Sequence, residues 1–239
     1  MNIDFFSARS LTFFKTFSAI HLITLLFIVM LSIALLLIIR NKSERDKRKF
    51  SIILGFIALF LQLSYYIWLF VNNNFFLKES LPLNICSVSL ILTFFLFITR
   101  NRYVFFVLYF WGILGSSYAL IFPNIIQNFP HFRFIEYFLA HWIILFSVMY
   151  FVFIEKYLIT IKDFLISYII TLSYLALVFI INVALKSNYL YLIKKPHFSS
   201  FYDFLGNYYR LELLLGILIL FIILYIPFIL PKIYMRNRK

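Results

Sequence analysis

The chain has 239 residues, of which 64% are hydrophobic and only 13% charged, with a mean hydropathy of +0.97 and a net charge of +13. Soluble domains run at about 45–50% apolar and about 25% charged, so a compact soluble fold, which has nowhere to bury such an excess, is excluded. Five Gly, six Pro and one Cys in a chain rich in Phe, Leu and Ile also exclude disorder, a collagen repeat and a disulfide scaffold. What remains is an all-α polytopic membrane bundle.

A membrane span takes about 20 mostly apolar residues. Stretches of this kind lie near 17–39, 50–71, 82–99, 103–122, 132–154, 161–183 and 211–230, which predicts seven transmembrane helices in a single domain over 1–239. Residues 1–16 carry Asp4 and no apolar core, so no cleavable signal peptide is expected. Segment 184–210 holds Tyr189, Tyr191, Phe198, Phe201, Tyr202, Phe204, Tyr208 and Tyr209. Aromatics this dense predict an interfacial or re-entrant element; His197 within it reads as solvated.

Basic residues fix the expected orientation, because cytoplasmic loops collect Lys and Arg. Arg40, Lys42, Arg45, Lys47, Arg48 and Lys49 follow the first stretch. Arg100 and Arg102 follow the third, Lys156 and Lys162 the fifth, and Lys232, Arg236, Arg238 and Lys239 the last. Fewer lie on the other side: Arg9, Lys15, Lys78, Arg133, Lys186, Lys194, Lys195 and Arg210. The N-terminus is therefore expected outside and the C-terminus in the cytoplasm of a cell membrane. Positive charge in short loops reads as topology and contact with anionic headgroups. The expected partners are membrane lipids, not nucleic acid, and the oligomeric state stays open. No P-loop, glycine-rich dinucleotide turn or internal repeat is present, and no cofactor is expected.

In this topology the chemically capable residues gather at the outer ends of the helices. They are His21 in the first stretch, Asn84 and Cys86 in the third, Ser116, Ser117 and Tyr118 in the fourth, His131, Arg133, Glu136 and His141 in the fifth, and Glu212 in the last. Ionisable groups at membrane depth are costly unless paired or hydrated, so each is a functional candidate. Arg133 and Glu136, three apart, can pair on one helix. Cys86, Ser89 and Thr93 form one polar helical stripe.

A thiol becomes a nucleophile beside a base, usually a His. Cys86 and His141 therefore form a candidate catalytic pair for acyl transfer to or from a lipid. Asn84, Ser117 and Tyr118 are candidate oxyanion donors, and His21, His131 and Arg133 candidate holders of a headgroup phosphate. Plain readings stand beside these. A lone buried Cys usually packs as a small hydrophobe. Pro130 and His131 at a helix entrance fit capping, and Arg133 with Glu136 fits a register lock. No metal site is expected, since neither an HExxH nor a paired-Cys spacing occurs. A lipid-binding or small-molecule transport protein with no covalent step is the alternative function.

The segments FSAIHL (17–22), LPLNICSVSL (81–90), YFWGILGSSYAL (109–120), FPHFRF (129–134) with AH (140–141), and NYLYLIKKP (188–196) with DFLG (203–206) occur in this order. Together they resemble the YwaF-like family of bacterial membrane proteins, related to the eukaryotic transmembrane protein 164 acyltransferases. The resemblance implies a single helical domain of about seven spans. For the eukaryotic relatives it implies a Cys and a His working in phospholipid acyl transfer, which fall here on Cys86 and His141, with further histidines at His21 and His131. The sequence departs from that pattern at Asn84, Gln62 and the NYYR after DFLG.

Overall fold

The computed structural model describes residues 5–8, 12–195 and 205–236, with side chains as far as residue 229. It is all-helical. Helices α1 (Ala19–Arg40), α2 (Glu44–Val71), α3 (Ile85–Thr99), α4 (Arg102–Ile121), α5 (Phe132–Phe153), α6 (Ile161–Leu185) and α7 (Tyr209–Arg236) follow one another, with a short 3-10 turn at Tyr189–Tyr191. Six of the helices, all but the 15-residue α3, are long and apolar enough to cross a membrane. Among the described residues, extended pairing is confined to one bridge between Phe13 and Gln127. His197 and the aromatics Phe198, Phe201, Tyr202 and Phe204 lie outside the described residues, as do Arg9, Arg238 and Lys239.

Local chemistry sets where the helices begin. Ser18 accepts the His21 N–H, Ser43 that of Asp46, and Asn101 those of Tyr103 and Val104. At Thr160 and Asp163 each side chain accepts the other's backbone N–H, a reciprocal capping box. Helix α2 starts at Glu44, well before the apolar stretch at residue 50, because Ser43 caps it and Glu44 and Asp46 complement the positive end of its dipole. Helix α3 starts only at Ile85, although the apolar stretch begins at 82. The Leu81 N–H donates to the Tyr189 hydroxyl (2.8 Å) and the Leu83 carbonyl accepts from Tyr174 (2.7 Å), so these backbone groups are taken by tyrosine side chains and not by a first turn of α3.

The chain divides into two compact units, residues 1–75 with 85–157, and residues 76–84 with 158–239. In the first, α5 is central. It packs on α1, α2, α3 and α4, and α3 also packs on α4 and on α2. Helix α1 docks through a narrow stripe, His21, Ile28, Ser32 and Ile39, and its other apolar side chains are largely exposed. The Trp142 indole N–H donates to Ser32 Oγ at 3.0 Å across that seam. At the far end, Arg48 donates to the Phe97 and Ile98 carbonyls at the C-terminus of α3, and Arg100 pairs with Glu155 at 3.0 Å. The Tyr157 hydroxyl donates to the Arg100 carbonyl at 2.7 Å, and burial raises its phenol above the ordinary range, keeping it a donor.

In the second unit Leu175, Val178, Tyr189 and Leu192 form the core, with Leu81, Leu83 and Tyr174 packed against it. Asn182, buried on α6, fastens the 3-10 turn. Its Oδ1 accepts the Tyr189 N–H at 2.7 Å and its Nδ2 donates to the Tyr189 carbonyl at 2.9 Å. Phe164 and Tyr168 on α6 meet Phe221 on α7 edge to ring, and Phe164 also meets Tyr225 with the two rings tilted.

Candidate functional site

Cys86 is the second residue of α3 and is half-buried, with a free thiol. It sits against Gly115 of α4. A Cβ added there would stand 3.3 Å from the Cys86 Sγ. Gly115 therefore lets the sulfur lie nearly on the α4 backbone, an approach any larger residue would crowd. Ser89 and Thr93 are buried along the same stripe of α3, where a hydroxyl facing lipid would gain nothing.

His141 is buried on α5. Its Nδ1 lies 2.7 Å from the Tyr137 carbonyl, one turn earlier. A carbonyl only accepts, so Nδ1 carries the proton, and in the neutral ring Nε2 is then the basic nitrogen. The Tyr137 ring packs on the imidazole with centroids 4.2 Å apart, and the Tyr137 hydroxyl donates to the Ala119 carbonyl at 3.2 Å. Tyr137 thus orients His141 and ties α5 to the end of α4. Sequence reasoning passed over it, although its place four residues before His141 was the available signal.

Contacts along α4 set the register of these groups. A Cβ at Gly112 would meet Ile144 at 3.1 Å and Val148 at 3.3 Å, and Ala119 is joined to Tyr137. The two helices run antiparallel, so Gly115 and Ser116 fall between these two contacts on α4, as His141 falls between Tyr137 and Ile144 on α5. Cys86, against Gly115, meets α4 within the same stretch. No hydrogen bond joins the Cys86 thiol to His141 among the described residues.

The other histidines are committed to the fold. His21, fully buried, has Nε2 2.8 Å from the Leu120 carbonyl, while its Nδ1 accepts the Phe17 N–H at 2.9 Å. Phe17 is held at a φ of 60°, a left-handed conformation that a non-glycine residue adopts at a cost. His131 caps α5. Its Nδ1 accepts the Arg133 N–H at 3.0 Å, and its Nε2 lies 2.8 Å from the Ser7 carbonyl. In both rings one nitrogen donates to a carbonyl and the other accepts an N–H, so neither has a nitrogen left for a headgroup phosphate. The N-terminal segment they help to hold is also fixed by Asn72, which accepts the Ala8 N–H and donates to the Phe6 carbonyl.

Arg133 pairs with Glu136 through Nη1, as their spacing predicts, and its guanidinium stacks over Tyr65 at 4.2 Å and Trp68 at 5.3 Å. Of the expected oxyanion donors, Tyr118 is exposed and its ring packs tilted against Phe122, and Ser117 is half-buried. Asn84 is exposed and belongs to the second unit. The neighbouring Ser116 is buried, as is Ser89, and among the described residues neither Oγ has a hydrogen-bond partner. The described residues contain no group of three or more His, Cys, Asp or Glu placed to hold a metal ion.

No curated protein and no solved structure matches the chain. The family model of the TMEM164 family matches residues 16–227. That range runs from the cap of α1 into α7 and takes in Cys86, His141 and every candidate site residue between them. An all-helical membrane protein with this match over most of its length belongs to the TMEM164 family.

Proposed function

We propose that this chain is a membrane-embedded acyltransferase that moves a fatty acyl chain from a phospholipid by way of a thioester on Cys86. What supports the reading is that the Cys86 sulfur packs on Gly115 of α4 and that His141, with Nδ1 fixed by Tyr137, lies on α5 between the residues that meet Gly112 and Ala119 of the same helix. In the first step His141 Nε2 takes the thiol proton and the sulfur bonds to the ester carbonyl carbon. The ester C–O bond then breaks, and the leaving lysophospholipid oxygen takes the proton from His141. An acceptor hydroxyl repeats the sequence in reverse and frees Cys86.

Arg133 takes the headgroup phosphate in this scheme, since a guanidinium has five N–H donors and Glu136 does not use them all. His21 and His131 act as positioning residues, and Ser117 and Tyr118, near the end of α4, are retained as polar groups at the approach to the site; Asn84 keeps its candidacy as an oxyanion donor from the sequence alone. The Lys and Arg bias puts this end of α5 outside the cell, so the lipid comes from the outer leaflet of the cell membrane. We read residues 1–239 as one membrane domain. The segments shared with the YwaF-like proteins support a place in that bacterial branch.

The test is transfer itself. Purified protein in nanodiscs is given phosphatidylcholine with a radiolabelled acyl chain and an unlabelled lysophospholipid. The label should move to the lysophospholipid, and Cys86→Ala and His141→Ala should each lose at least about 100-fold of the rate. Binding of lipid with no label moved, in wild type as in both variants, would leave the transport or binding reading instead.

A further inference from the structure

Buried hydroxyls on helices usually turn back and donate to their own helix one turn earlier. Several buried hydroxyls of this chain follow that habit, while Ser51 instead donates across to the Phe97 carbonyl at 2.8 Å. Ser32 donates to Ile28, Thr93 to Ser89, Ser147 to Ile144 and Thr171 to Ser167, each at 2.7–2.8 Å. Ser116 does not, although it is 1% exposed and sits within α4, where the same bond is on offer. A buried hydroxyl left without a partner is costly, and such exceptions call for an explanation.

The position of Ser116 supplies one. Gly112 faces α5 at Ile144 and Val148. Ser116 lies four residues on, on the same face of α4 and one turn nearer its end. Gly115 beside it faces the Cys86 sulfur. Ser116 is therefore next in the chain to the residue that touches the sulfur, and on the α4 face that packs on α5. Ser89, the other unpartnered buried hydroxyl near Cys86, is one turn further along α3.

We propose that the Ser116 hydroxyl is the hydrogen-bond donor that receives the oxyanion formed when Cys86 attacks an ester carbonyl. This rests on the acyl-transfer reading above. As the sulfur bonds to the carbonyl carbon, the carbonyl π pair moves onto oxygen and accepts from Ser116 Oγ–H. When the ester C–O bond breaks, the pair returns, the carbonyl re-forms and Ser116 keeps its proton throughout. A donor aimed at charge that appears only in the transition state is worth about 100-fold or more in rate.

The test compares two reactions of the same thiol in nanodisc-embedded protein. One is acylation by p-nitrophenyl palmitate, followed as p-nitrophenolate release and as the mass of the Cys86 peptide. The other is alkylation by iodoacetamide, a displacement at saturated carbon that forms no oxyanion. Ser116→Ala should slow acylation about 100-fold and leave alkylation within about twofold of wild type. Equal slowing of both reactions, or no slowing of either, would overturn the proposal by showing that Ser116 only packs. If wild-type Cys86 alkylates but forms no thioester, the acyl-transfer reading falls and the Ser116 role with it.

Discussion

At the scale of single residues, the site is built from side chains whose second atom is already spent. His141 gives Nδ1 to the Tyr137 carbonyl, and His21 and His131 give both nitrogens to backbone groups. Removing the His131 cap strips a partner from the Arg133 N–H and from the Ser7 carbonyl. His131→Ala should cost about 1–2 kcal/mol, read by thermal unfolding in detergent, and should speed amide exchange at residues 5–8. Arg133→Ala has a larger expected effect, because it strands the Glu136 carboxylate among buried residues. The loss should be about 3–5 kcal/mol, and the double replacement Arg133→Met with Glu136→Leu should recover most of it. The Arg133–Glu136 pair and the His131 cap were legible in the sequence, since both depend on neighbours within one turn. The commitment of His21 to Leu120 was not, because its partner is a backbone carbonyl on α4, 99 residues away.

At the scale of elements, the two glycines of α4 do different work. A Cβ at Gly112 would crowd Ile144 and Val148 at 3.1 and 3.3 Å, two branched side chains on the buried face of α5. Gly112→Ala should therefore cost about 1–3 kcal/mol of stability, seen as a lowered melting temperature. A Cβ at Gly115 meets mainly the Cys86 sulfur. Gly115→Ala should shift that sulfur by a few tenths of an ångström, lowering acyl transfer while the melting temperature falls less than in Gly112→Ala. Helix starts follow the same division between local and distant causes. Ser43, Asn101 and Thr160 stand in the sequence where their helices begin. The late start of α3 escapes a sequence reading because the bonds that hold residues 81–83 come from Tyr174 and Tyr189.

At the scale of the whole molecule, composition alone carried the fold class, since 64% hydrophobic residues in apolar runs of span length admit little but a membrane bundle. Sequence depth also gathered the candidate residues at one end of the helices, but not which faces meet. That required the contacts of Gly112, Gly115 and Tyr137, none of which has a chemical signature of its own. The inferred orientation has a direct check in a Cys86→Ser background. A membrane-impermeant maleimide should label Asn124→Cys, between α4 and α5, in intact cells, and Arg45→Cys only after permeabilisation. The reverse pattern would invert the topology and move the site to the cytoplasmic leaflet.

The proposed acyl transfer turns on His141 acting on Cys86. The measurement that reaches it most directly is the rate of Cys86 alkylation by iodoacetamide in nanodiscs, at each pH from 5 to 9, for wild type and His141→Ala matched for folded fraction. At pH 7 the wild type should label, and the variant should label at least about tenfold more slowly. Equal rates at every pH, or a wild-type thiol inert throughout, would contradict a Cys86–His141 pair and leave Cys86 as packing.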